Sequence, residues 1–211
     1  MGLLKLLAAD PLAFALVAIP LLFSIIIHEV AHGWVAYRMG DPTAKWSGRL
    51  TLNPLNHLDP IGTLMLFLAG FGWAKPVPVN FNNLTDKRKG LLFVSSAGVL
   101  ANILLAFFAL LFNRLFSSSS SGIAVILVDK VCPYVAYINI TLAALNLIPI
   151  PPLDGSKILM GIVWKRTPYF LTRLEPYGFF ITVGLLYLGI LNPLIGLFGW
   201  IISRLIGILI P

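Results

Sequence analysis

The chain has 211 residues, of which 58% are hydrophobic and only 11% charged, with a net charge of +7 and a mean hydropathy of +0.92. This composition lies outside the range of soluble globular domains and reads as a polytopic membrane protein of one domain, residues 1–211. The basic residues stand singly or in short clusters between apolar runs. That pattern orients membrane loops and faces anionic lipid, so a lipid bilayer is the expected partner and nucleic acid is not.

Residues 1–11 form a short head. The stretch Met1 to Ile19 has one lysine, an apolar body and no cleavage-like end, so it is expected to be retained rather than removed as a signal peptide. Asp10-Pro11 then supplies a helix start. From Leu12 to Ile27 sixteen residues carry no charge, and the apolar run resumes through Trp34, Val35 and Ala36. At ~1.5 Å per residue a helix over residues 12–37 reaches about 40 Å, enough to span a bilayer. Pro20 loosens it eight residues before His28, and Met39-Gly40-Asp41-Pro42 reads as its end.

Within this run lies His28-Glu29-Val30-Ala31-His32, three ionisable side chains in five positions. An uncompensated charge at the bilayer centre costs from ~2.5 to more than ~10 kcal/mol, so these groups require a partner. Residues four apart lie on one helical face, so His28 and His32 can each offer a ring nitrogen to one tetrahedral zinc. Glu29 sits beside them and is left free to work on water.

Residues 41–60 are polar and turn-rich, and His57 and Asp59, flanked by prolines, read as structural more readily than as ligands. The apolar run Ile61 to Trp73 is too short to span, so a re-entrant or interfacial segment is expected at 61–80. It ends in Ala74-Lys75-Pro76-Val77-Pro78-Val79-Asn80, whose β-branched and proline residues predict an edge strand or extended segment. Such a segment can hold a substrate strand by main-chain hydrogen bonds, or form a membrane-surface loop. Leu91 to Phe112 is the second spanning run, with Ala97-Gly98 and Ala101 for close helix approach and Asn102 as a lone amide at membrane depth.

Residues 113–130, with Ser117 to Ser121, predict a flexible polar connection too short for an accessory domain. The lone cysteine, Cys132, excludes an internal disulfide and argues against a thiolate metal cluster. Val131 to Ile148 is the third spanning run, and it ends in Asn146-Leu147-Ile148-Pro149-Ile150-Pro151-Pro152-Leu153-Asp154-Gly155. Prolines at this density cannot continue a helix, and irregular backbone at membrane depth must be buried in protein or line a cavity. Asp154 is the only carboxylate between Lys130 and Glu175; a Zn–O bond of about 2.0–2.2 Å would complete a His, His, Asp set with one open position. The alternative is that Asp154-Gly155 caps a helix beginning near Lys157. Tyr177 to Leu191 and Pro193 to Ile210 read as a terminal helical hairpin turned at Asn192-Pro193, with Arg204 near enough to its end to reach the headgroups.

The fold expected is therefore all-α, with about five spanning helices. If the first helix runs from the outer face to the cytoplasm, residues 38–90 and 157–176 lie inside with seven and four Lys/Arg, against three outside (Lys5, Arg114 and Lys130). This orientation makes a multi-pass protein of the cell membrane, N-terminus outside, and puts His28 and His32 nearer the cytoplasmic side.

Taken together, the His28 to Gly33 block, Asn53-Pro54 with His57 and Asp59-Pro60, Gly72 to Asn80, Ala97-Gly98 with Ala101-Asn102, and Asn146 to Gly155 resemble the site-two protease family of intramembrane zinc metallopeptidases. Five blocks in family order cover residues about 12–160. The resemblance implies a catalytic core of three helices beside the hairpin 177–210, one zinc per chain held by His28, His32 and Asp154, and Glu29 as catalytic base. It implies that segment 72–80, with Lys75, Pro76 and Val77, helps present an unwound transmembrane substrate. Asn102 or Asn146 would hold the displaced strand or stabilise the oxyanion. Val99 stands where many relatives carry a proline, and no inserted peptide-binding domain is present in this sequence.

Two other classes place His and Asp at membrane depth. A metal-ion transporter would need no glutamate beside one histidine, and an inactive zinc-binding scaffold would tolerate loss of Glu29.

Overall fold

In the computed structural model the described residues are 7–69, 74–117, 122, 125–164 and 173–210. The fold among them is helical, with one isolated antiparallel bridge, Leu58 to Ala74, in place of a sheet. Lys5, Gly72, Trp73, Ser118 to Ser121, Lys165 and Arg166, which figured in the expectations above, lie outside the described residues.

Helix α1 spans Pro11–Arg38. It starts where Asp10 accepts a 2.9 Å bond from the Ala13 N–H and Pro11 takes the first turn, where a missing N–H is harmless. It ends on Met39, with Gly40 at a φ of 105°, a conformation suited to glycine. The short run 61–73 yields helix α2, Pro60–Ala69, too short to cross a bilayer. Helix α3, Lys87–Phe116, begins on Asp86, whose carboxylate accepts from the Lys89 N–H.

The described residues on either side of the polar connection after α3 are joined by hydrogen bonds that composition does not predict. Asn113 donates to the Val128 carbonyl at 2.7 Å and Ser117 to Asp129 at 2.6 Å, tying a π-helical turn, Ile126–Val131, to the end of α3. Helix α4, Cys132–Asn146, continues from that turn. Helix α5 is Asp154–Ile162, α6 is Gly178–Tyr187 and α7 is Asn192–Leu209. The hairpin turn therefore falls at residues 188–191, around Gly189 at φ 71°, and Asn192-Pro193 opens α7 instead of forming the turn.

Helices α1, α3 and α7 are long and apolar enough to cross a membrane. Small side chains let the helices approach: Val99 and Ala106 of α3 pack on Ala136, Ala143 and Ala144 of α4, and Ile202 and Ile206 of α7 close the cluster. Large apolar side chains such as Leu100, Leu104 and Phe108 point outward, as suits a surface solvated by lipid. Arg204, charged within α7, lies over the Trp200 ring at 5.6 Å, one turn away, so part of its charge faces an aromatic surface.

Past the end of α1, the buried Asp41 ties the loops together. Its carboxylate accepts from the Thr43 hydroxyl and N–H, from the Asn83 amide at 2.8 Å and from the Asn80 N–H at 2.7 Å. Burial opposes its ionisation, yet these donors outweigh it and hold the Asp41 carboxyl below its ordinary pKa. Because the folded pKa is depressed, the stabilisation is complete above the ordinary carboxylate range, near ~4, and is lost as pH falls below it. Asp41→Ala, which strands those donors, is expected to cost about 3 kcal/mol. Melting curves in detergent at neutral pH check the loss, and the wild-type midpoint should fall toward the variant's below about pH 4.

Candidate active site

The side chains of His28 and His32 leave α1 one turn apart and meet at their Nε2 atoms, 3.0 Å from each other. From across the bundle the Oδ2 atom of Asp154 stands 3.2 Å from the first and 3.1 Å from the second. All three residues are buried or nearly so. The Nδ1 atom of His32 lies 2.6 Å from the Val94 carbonyl of α3. Since a carbonyl only accepts, the His32 proton resides on Nδ1 and its Nε2 presents a lone pair to the other two atoms.

These three atoms lie close enough together to hold one metal ion. Four-coordinate zinc with bonds of about 2.0–2.2 Å keeps neighbouring donor atoms about 3.3 Å apart, so the observed triangle needs only a few tenths of an ångström of relaxation. Two imidazoles and a carboxylate on one cavity are a donor set that could hold a zinc ion and leave room for a further ligand.

Each part of this arrangement has a local cause. Asp154 is delivered by the proline segment, which leaves α4 at Asn146 and turns through Ile150 and Leu153 before α5 begins. Asp154 is itself the first residue of α5, and no side chain caps that helix. The carboxylate points at the imidazoles instead, so the capping alternative is not the arrangement adopted. Behind the segment, Thr182 of α6 donates to the Pro151 carbonyl at 3.1 Å. A Cβ on Gly155 would run into the Leu147 and Ile148 carbonyls, which explains the glycine after the aspartate.

Glu29 faces the same cavity, about 390 Å³, which is lined also by Ser95, Asn146, Pro76, Val77 and Lys157. Its Oε2 atom accepts from the Val77 N–H at 2.9 Å, so the carboxylate is bound to the extended segment. That segment, 74–80, is held on both sides. Lys75 donates its N–H to the His57 carbonyl at 2.8 Å, and the Arg49 guanidinium donates to the Lys75 and Pro76 carbonyls.

The other expected site residues fall in distinct places. Asn146 lines the cavity, its Nδ2 donating to the Leu142 carbonyl at 3.0 Å. Lys75 is exposed at the edge. Asn102 is fully buried in α3 and is not among the residues lining the cavity. His57 is buried in its loop with Nε2 at 2.8 Å from the Thr51 carbonyl, apart from the His28, His32 and Asp154 group.

Sequence reasoning passed over Arg49, Ser24 and Asn139. Nothing marks Arg49 among the other loop cations, but a serine one turn before His28 and a second amide in an apolar run were available signals. Gly98 is tighter than a helix-approach role requires: a Cβ there would lie 2.5 Å from the Nε2 atoms of both histidines. Gly98→Ala is therefore expected to weaken metal binding about tenfold or more while helix content is retained. Metal analysis of the purified variant beside its circular dichroism spectrum checks this.

A family model described as Peptidase family M50 matches residues 116–189. The chain is 40% identical to "Putative zinc metalloprotease YwhC" of Bacillus subtilis over 166 residues, 77% of this chain and 76% of that one. It is 34% identical to "Putative zinc metalloprotease Rip2" of Mycolicibacterium smegmatis over 190 residues, 85% of this chain and 69% of that one. A more distant relative, "Zinc metalloprotease MJ0392" of Methanocaldococcus jannaschii, is 24% identical over 156 residues, 74% of this chain and 37% of that one. No solved structure gives a significant match. On the extent of the bacterial matches, the chain belongs to peptidase family M50, the site-two protease family of zinc metallopeptidases.

Proposed function

We propose that this chain is an intramembrane zinc endopeptidase that hydrolyses a peptide bond within or near a transmembrane segment of a membrane protein. The observation that carries this reading is the meeting of His28, His32 and Asp154 at 3.0–3.2 Å beside Glu29, on one cavity, in a helical chain built to face lipid. His28, His32 and Asp154 hold one zinc ion and Glu29 is the catalytic base. The chain works as one membrane-embedded unit, with residues 12–160 as the catalytic core and the C-terminal hairpin 177–210 packed behind it.

Zinc bound there supplies Lewis acidity to the scissile carbonyl and brings the pKa of a water toward ~7. The protein's own groups do the rest. Glu29 takes the proton of the attacking water and returns it to the leaving amine. The Val77 N–H, by holding Oε2, fixes which oxygen of Glu29 faces the reaction. A substrate helix keeps its carbonyls in its own hydrogen bonds and must unwind before attack. Pro76 and Val77, on the cavity wall with Lys75 beside them, form an extended edge along which the unwound strand lies, with the Val77 carbonyl as a main-chain acceptor for it. Asn146, whose side chain reaches the cavity, helps hold that strand or the developing oxyanion.

The excess of basic residues in 38–90 and 157–176 supports a multi-pass protein of the cell membrane with the N-terminus outside and the site nearer the cytoplasm. The substrate is a protein spanning the same bilayer.

Purified enzyme in detergent, offered a membrane-segment reporter, tests the reading. Glu29→Gln should retain one zinc per chain and lose cleavage, whereas His32→Ala and Asp154→Ala should lose both. Cleavage that survives in Glu29→Gln would remove Glu29 from its role, and a wild type without zinc would undo the scheme. Val77→Pro, which removes the N–H beside Glu29 along with the valine side chain, should lower turnover about tenfold or more with zinc content unchanged.

A further inference from the structure

Several buried polar atoms are left over behind the site. The Nδ1 atom of His28, both side-chain atoms of Asn102 and the Oδ1 atom of Asn139 are buried without a hydrogen-bond partner. Asn102 and Asn139 are fully buried. A membrane protein has no bulk water at that depth, so an amide with no partner at all is costly and demands an explanation.

These atoms belong to one layer. His32 meets Val94 and His28 meets Gly98, so rising numbers on α1 pair with falling numbers on α3, and the two helices are antiparallel. One turn from His28 toward the start of α1 is Ser24; one turn from Gly98 along α3 is Asn102. Both steps lead to the same level. Asn139 of α4 joins that level, since its Nδ2 donates to the Ser24 hydroxyl at 2.8 Å and to the Val135 carbonyl at 2.8 Å, which leaves its Oδ1 unused.

Side chains on a helix lean toward its N-terminus. The His28 imidazole therefore leans from α1 toward the Ser24 level, while the Asn102 amide leans from α3 back toward Gly98. The two side chains thus lean toward each other from facing helices, while the His28 Nδ1 and both polar atoms of the Asn102 amide have no hydrogen-bond partner.

We propose that Ser24, Asn102 and Asn139 enclose a buried water site, and that Asn102 is thereby a positioning residue for His28. The water accepts the proton of His28 Nδ1, accepts from Asn102 Nδ2 or donates to its Oδ1, and donates to Asn139 Oδ1, the two to four partners a buried water needs. His32 has a fixed tautomer through Val94; this water gives His28 the same, keeping its Nε2 lone pair toward the metal. The inference rests on the zinc-ligand reading above.

The experiment compares wild type, Asn102→Leu and Asn102→Ser in detergent by equilibrium competition for zinc against a chelator, with the absorption spectrum of the cobalt-substituted proteins as a second readout. Leucine keeps the bulk and removes the polar atoms; serine keeps a hydroxyl and leaves room for a second water. Asn102→Leu should bind zinc about 10–100-fold more weakly and shift the cobalt bands, and Asn102→Ser should recover most of the affinity. If Asn102→Leu binds zinc like the wild type and the metal-free variant melts higher, the amide is dry and the proposal falls alone. If the wild type binds no zinc, the ligand assignment falls and takes the proposal with it. Should Asn102→Leu fail to fold, Asn139→Leu removes the opposite wall: weaker zinc binding supports the water site, and unchanged binding overturns it.

Discussion

Two imidazole nitrogens and one carboxylate oxygen point at a common centre among apolar helices, and the rest of the molecule is arranged to keep them there. Two imidazoles and a carboxylate gathered this closely form a group that could hold one metal ion, and a shared cation would offset the cost of burying them together. The surrounding elements bear on this one constraint. A helix repeat sets the two histidines on one face, a missing side chain at Gly98 lets α3 come close enough for its Val94 carbonyl to orient His32, and a run of prolines ends α4 in time for Asp154 to turn inward.

Helix α1 does more than carry the two histidines. Two of its carboxylates, Glu29 within it and Asp41 just past its end, each take a backbone N–H from the extended segment, at Val77 and Asn80. Prolines at 76 and 78 remove the neighbouring donors, so Val77 offers the only N–H among residues 76–78, and it is directed at Glu29. Glu29 and the edge beside it are thus tied together. If Glu29 is the base, as proposed, a strand laid on that edge would bear on the group that activates water, and the fit of a substrate would reach the chemistry directly.

Much of the plan was readable from spacing and residue type. Histidines four apart lie together on any α-helix, a capped apolar run such as residues 11–38 declares its own limits, and a thirteen-residue run cannot cross a bilayer. Prolines forbid a helix through 149–152 whatever surrounds them. These are properties of the local chain, and they hold before any tertiary contact forms.

Other features needed the folded chain. Asp154 is 122 residues from His32 along the sequence, and whether it caps α5 or turns to the histidines depends on the Gly155 contact with the 147–148 backbone and on α6 behind Pro151. The polar tract after α3 reads as loose, yet Asn113 and Ser117 find partners in the π-helical turn that composition does not reveal. Arg49 looks like any loop cation until two carbonyls of a segment 26 residues away meet its guanidinium. The layer of Ser24, Asn102 and Asn139 exists only because three separate helices bring one polar residue each to the same height. Pattern along a chain records which way a side chain faces; which group it meets there depends on how distant helices pack, and that is a property of the whole fold.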